Sequence, residues 1–153
     1  MKTTLPLITL LGCCFLALPA LGEKSPHWIE QQMWKELYDP PYKKATEIRK
    51  GNKLRSELFN VLRPFISKEA KQTVKFSGTL RVFKNWAFFS GETYSNQGKL
   101  MTYPPMDNSD TAALWLRTRH GWQVVDFSVG HSDVFWEAWH FQYGASREVL
   151  GFQ

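Results

Sequence analysis

Apolar positions along this chain change their period once, from helical in the front half to alternating in the back. Trp28, Ile29, Met33, Trp34 and Leu37 recur at helical spacing, which predicts a short amphipathic helix over 26–38 with Ser25 as N-cap and Pro26 in its first turn. Asp39-Pro40-Pro41 ends it. Leu54, Leu58, Val61, Leu62 and Phe65 form a second stripe of the kind a helix needs to lie on a sheet. Gly51-Asn52 either starts this helix or interrupts a longer one beginning near Lys43, and Pro64 is expected to close it.

From Thr73 the period becomes two. Val74, Phe76, Leu80 and Val82 share one side and Thr73, Lys75, Thr79 and Arg81 the other, a half-buried strand with Gly78 as an expected bulge. Lys84-Asn85 predicts a tight turn into a second strand over 86–91. The segment from Tyr94 to Asp110 is rich in turn formers and reads as a flexible excursion. Its apolar tip, with Met101, Tyr103, Pro104, Pro105 and Met106, either reaches a partner, covers a pocket or tucks against its own sheet. Two further strands, 112–117 and 122–129, flank a turn at Arg119-His120-Gly121. Helices followed by a meander of strands predict an α+β fold, with N-terminal helices on one face of a curved antiparallel sheet.

The residues ahead of this pattern change the picture of where the domain works. Met1-Lys2 and an apolar stretch from Leu5 to Leu18, too short to span a bilayer comfortably, are followed by Pro19 and the small residues of Ala20-Leu21-Gly22. This predicts a signal peptide over 1–22, cleaved before Glu23, and a single domain over 23–153 that is periplasmic or secreted and has no transmembrane anchor. A rival reading makes Cys13 a lipoprotein attachment site; the apolar run that follows it, where a polar tether belongs, argues against this. Cys13 and Cys14 are the chain's two cysteines, so the cleaved domain would have no disulfide, no thiolate nucleophile and no thiolate metal ligand. A disulfide-free exported domain of about 130 residues, large enough for its own core, fits a bacterial envelope.

Charge adds less. Losing Lys2 with the leader takes the formal net charge from +5 to +4, with the excess concentrated between Lys35 and Lys75. Such a segment either attracts anionic partners or is a solvated face, and the glutamates at 36, 47, 57 and 69 dilute it. Nucleic acid is not an expected partner outside the cytoplasm.

Two constellations carry candidate chemistry. In Gly130-His131-Ser132-Asp133, with Asp126 and His140 nearby in sequence, an imidazole and a carboxylate two residues apart suit general acid/base work, or a metal site with His140. The same residues equally suit a cap, Ser132 or Asp133 opening a short helix over 134–139 with His131 exposed. The second constellation is aromatic. Phe135, Trp136, Trp139, Phe141 and Tyr143 cluster after the last strand, interrupted by Glu137 and His140, and form either a ligand platform or a lid folded back on the sheet. No metal and no cofactor are expected.

The succession of Leu62-Arg63-Pro64, Trp86-Ala87-Phe88, Ala113-Leu114-Trp115-Leu116, Gly121-Trp122-Gln123-Val124-Val125 and Val129-Gly130-His131-Ser132-Asp133-Val134 resembles small exported bacterial proteins of the nuclear transport factor two-like (cystatin-like) superfamily. The resemblance implies a cone-like sheet around helices with an apolar pocket at its mouth, and it implies no activity. Two functions follow as expectations. One is a non-enzymatic envelope binding module for a protein partner or a small apolar or aromatic ligand, of inhibitor or immunity type among others, acting through Trp136, Trp139, Phe135, Tyr143 and Tyr103. The other is a small hydrolase or isomerase that uses His131 and Asp133 as an acid–base pair in the pocket.

Overall fold

A computed structural model of the chain describes residue 42, residues 44–131 and residues 134–152. The leader over 1–22, the helix expected over 26–38, and Ser132 and Asp133 lie outside the described residues. Within them run β1 (Thr46–Glu47), α1 (Lys53–Ala70), β2 (Val74–Phe83), β3 (Trp86–Ser95), β4 (Asp110–Thr118), β5 (Gly121–Val129), a 3-10 turn (Phe135–Glu137), α2 (Ala138–Tyr143) and α3 (Arg147–Leu150). The strands form one curved, antiparallel sheet in the order of the chain, so the fold is α+β as expected.

Helix α1 starts where Gly51-Asn52 allow it. Asn52 stays extended and its side chain accepts from the Leu54 amide at 2.9 Å, satisfying one of the helix's free donors. Pro64 does not close the helix: it sits inside it, and the chain stays helical to Ala70. The helix tolerates the missing N–H because Pro64 is on the exposed side while Leu58, Leu62 and Ile66 point inward and bury completely. Packing of that stripe outweighs a local propensity cost of roughly 3 kcal/mol. The helix ends instead at Lys71, a left-handed C-cap whose amide bonds back to Lys68 and Ser67.

The hairpin at Lys84-Asn85 forms as expected, with Phe83 paired to Trp86 and Lys84 at φ 53°. Gly78, however, is no bulge. The β2–β3 register runs unbroken from Val74–Ser95 to Phe83–Trp86 and sets Gly78 opposite Gly91. A methyl on Gly91 would come within 2.6 Å of Gly78 Cα, and the Phe89 ring edge lies 3.0 Å from the space either methyl would fill. The two glycines therefore let β2 and β3 approach closely beneath a covering aromatic ring. The irregularity of the sheet lies elsewhere, in β5, where Trp115 pairs with Val124 but Leu114 pairs with Asp126. The extra residue, Val125, resets the alternation, so Trp122 and Val124 reach the same core as Phe127 and Val129 despite the change of parity.

The sheet is covered on both faces, which corrects the expectation of helices on one. Ala87 and Phe89 of β3, with Ala113 and Trp115 of β4, pack against Leu58, Phe59, Leu62 and Ile66 of α1. The alternate residues Trp86, Phe88, Ala112, Leu114 and Leu116 pack on the opposite side against Trp139, Tyr143, Val149 and Leu150. The 94–110 segment is not loose. Leu100 bridges Tyr94, Met101 N donates to Thr93 O, and Tyr103 is buried against Gly130, its hydroxyl 2.6 Å from that of Thr93. Among the described residues no helix is long and apolar enough to cross a membrane.

Candidate functional site

The aromatic cluster is assembled by the chain's last twenty described residues. After β5 the backbone turns at Gly130, runs through the 3-10 turn into α2, and stops at Gly144, which takes φ 72° and bonds to His140 O. His140 Nδ1 lies 2.7 Å from Ala145 O, and Ser146 caps α3 through the Val149 amide. The residue at the head of the 3-10 turn is Val134, which makes no side-chain cap bond; the capping role expected of Ser132 or Asp133 lies outside the described residues.

Helical spacing then sorts the rings. Trp139 and Tyr143, one turn apart, bury against β3 and β4 at 2 % and 3 % exposure. Phe135 meets Trp136 edge-on at 5.4 Å and Trp139 at 5.5 Å, and Phe88 of the sheet lies beneath both tryptophans at 5.8 and 6.2 Å. The Tyr143 hydroxyl donates to Asp126 Oδ2 at 2.8 Å, and Asp126 Oδ1 accepts the Phe127 amide. Trp139 and Tyr143, read from the sequence as part of either a ligand platform or a lid folded back on the sheet, are buried where this segment packs on the sheet. Phe135 and Trp136 remain partly open, and Val134 and Phe141 of the same segment are exposed at 52 % and 75 %. Tyr103 does not join them: it lies in the core on the α1 side of the sheet.

The acid–base pair is only half in view, because Asp133 lies outside the described residues. His131 is exposed, its ring tilted against Phe135 at 4.6 Å, and its carbonyl accepts from Asn108 Nδ2 at 2.8 Å. Asp126, the nearest carboxylate in sequence among the described residues, is engaged by Tyr143 and its own strand instead. No group of three potential metal ligands comes together among the described residues.

Two clefts occur elsewhere. One, of about 450 Å³, lies where Tyr42, Leu54 and Glu57 face Arg117, Arg119 and Trp122 at the β4–β5 turn. The other, of about 300 Å³, runs between α1 and β2. Neither is lined by a nominated aromatic or acid–base residue, but the second is lined by Lys50, Arg55, Arg63 and Lys75 of the basic segment read from the sequence as either an anion-attracting patch or a solvated face. The signal missed was the strand composition: Trp86-Ala87-Phe88-Phe89 and Ala112-Ala113-Leu114-Trp115-Leu116 are unbroken apolar runs, the mark of strands covered on both faces. The chain matches no protein-family model, no curated protein and no solved structure.

Proposed function

We propose that the chain is an exported, non-enzymatic binding protein that grips a protein partner through the surface made by Val134, Phe135, Trp136 and Phe141. The observation that carries this reading is Phe141, a phenyl ring 75 % exposed on a helix whose other aromatic residues are pinned underneath it. Burying such a ring contributes roughly 1.5–3 kcal/mol, which the domain itself leaves unused. Rings braced from below by Trp139 and Phe88 lose little freedom on contact, the property of interface anchors. An inhibitor or immunity role toward a secreted protein falls within this reading. The order of a long helix and a curved antiparallel meander supports the cone-like arrangement of the nuclear transport factor two-like superfamily, a fold that hosts binders as readily as enzymes.

The test uses the full chain, whose exported form begins at Glu23 on this reading, as bait in envelope extract beside Phe141→Ser and Trp136→Ala variants of unchanged melting temperature. We expect a protein captured by the parent, then purified and titrated, to bind each variant at least about tenfold more weakly, the loss of one anchor worth ~1.4 kcal/mol or more. Equal binding to the variants removes this surface. Self-association of the purified chain that Phe141→Ser abolishes replaces a foreign partner with a second copy.

A further inference from the structure

We propose that the groove between α1 and β2 is a binding site for a multiply charged phosphate group, held by Lys50, Arg55, Arg63 and Lys75. The argument begins with how the fold sorts a mixed-charge sequence. On α1, residues 55, 59, 60 and 63 fall at helical spacing on one stripe, which faces this groove, while Glu57 falls on the far side and lines the other cleft. The charge of Glu69 is felt at Tyr103, again away from the groove. Lys50 from the turn before α1 and Lys75 from β2 complete the walls. Glu57 and Glu69, which dilute the basic segment in sequence, are therefore turned away from the groove. The lining includes four cations and no carboxylate; Glu47, exposed on β1, is the acid whose charge reaches Arg55.

Arg55, Arg63 and Lys75 are held by uncharged partners, while Lys50 is exposed at the groove's edge. Arg55 is 7 % exposed, with Nη1 donating to Ile48 O at 2.9 Å and Nη2 to Gly78 O at 2.8 Å. Arg63 donates from Nε to Val74 O at 3.2 Å and from Nη1 to Asn60 Oδ1 at 2.6 Å. Lys75 Nζ donates to Asn96 O at 2.8 Å. Every one of these acceptors is an uncharged oxygen. Phe59 and Phe76, stacked at 4.7 Å, form a floor on which the guanidinium of Arg55 lies 4.8 Å above one ring and that of Arg63 5.8 Å above the other. Two partly desolvated arginines, with Lys75 beside them and no carboxylate among the described residues of the lining, constitute a preorganised anion site, since a bound anion removes an electrostatic cost the fold already bears.

The dimensions and chemistry narrow the ligand. A volume of about 300 Å³ is at the small end of ligand sites, so the groove takes a compact group rather than a protein surface. Four positive charges call for several negative ones, which a lone carboxylate does not supply. Arginine forks match phosphate oxygens, and Ser56 and Asn60 add uncharged polar groups to the wall. The shared chemistry is that of a di- or triphosphate, or of a phosphorylated lipid headgroup.

The test is calorimetric titration of the full chain with inorganic tripolyphosphate, and flotation with phosphatidylcholine vesicles with and without phosphatidic acid. Both run at low salt and again at about 0.1 M salt, where charges are screened beyond ~10 Å. The variants are Arg63→Gln with Lys75→Gln, which spares the buried Arg55, and Arg119→Gln, which removes the same sign of charge from the other cleft. We expect single-site binding of tripolyphosphate, weakened about tenfold or more in the double variant and changed less than about twofold by Arg119→Gln. Flotation that needs phosphatidic acid and the same two residues, without binding of the soluble anion, assigns the group to a lipid. Absence of both, or equal weakening by Arg119→Gln, overturns the proposal. The aromatic surface is tested separately, because Phe141→Ser leaves this titration unchanged.

Discussion

Replacing Gly91 by alanine tests whether the close approach of β2 and β3 is a steric requirement. An added Cβ would stand 2.6 Å from Gly78 Cα and closer still to Ser77 O, against ordinary contact at roughly 3.5–4.0 Å. Both neighbours are backbone, so relief requires the strands to separate by about 1 Å rather than a side chain to swing aside. Separation would lengthen ladder bonds on either side of the Gly78–Gly91 pair and lift Gly78 of β2 away from the Phe89 ring of β3 that covers it. Overpacking of flexible cores costs about 1–3 kcal/mol; with rigid backbone on both sides the expected cost is about 3 kcal/mol or more. For a domain of this size that lowers the melting temperature by roughly 10 °C. Gly98 is the matched control. Its added methyl meets nothing within 4 Å, so Gly98→Ala bears only the strain of φ +82°, roughly 1–2 kcal/mol. Thermal unfolding followed by circular dichroism compares the two. A Gly91→Ala protein that melts within about 2 °C of the parent, or above Gly98→Ala, would falsify the steric account.

Tyr103→Phe strands the fully buried Thr93 hydroxyl and should cost about 1–2 kcal/mol by denaturant titration, most of it recovered when Thr93→Val is added; additive losses in the double variant would refute the pairing. Burial holds the Tyr103 phenol above its ordinary pKa of 10.0, with the Thr93 bond opposing and the Glu69 charge assisting. The folded state therefore keeps its proton longer than the unfolded state does. The resulting stability is complete below pH 10 and disappears as pH climbs through the raised value, so Tyr103→Phe should flatten the alkaline loss of stability. Pro64→Ala returns a backbone donor at an exposed site inside α1 and should raise stability by about 1–3 kcal/mol; an unchanged denaturation midpoint would show that the helix has already adapted to proline.

Much of the sheet was legible because period-two alternation and turn chemistry are local. The Lys84-Asn85 hairpin and the turn before Gly121 each depend on a few adjacent residues and form where expected, and of the two readings of Gly51-Asn52 the structure shows the helix start. What failed was set by partners distant in sequence. Pro64 stays helical because Leu62 and Ile66 have a sheet to pack on, a fact invisible in the proline itself. Gly78 faces Gly91 only once register is known, whereas the displaced parity of Trp122, Val124, Phe127 and Val129 was a readable sign of the Val125 bulge. The aromatic cap was visible as a cluster, but not which of its rings would be buried. That depended on Phe88 and Asp126 rising from the far side of the sheet. The basic groove was legible only as a diluted excess of charge, because Glu57 sits among the cations in sequence until a helix turns it away from Arg55.

The borders of the sheet have a consequence for solubility. A stranger strand docks most easily on a long, straight row of free amides and carbonyls. Here one margin is guarded by a segment just two residues long and the other is kinked midway by its surplus valine. Deleting Val125 would put Trp122 and Val124 out of phase with Phe127 and Val129, so the residue that bends this margin is also one the core cannot lose.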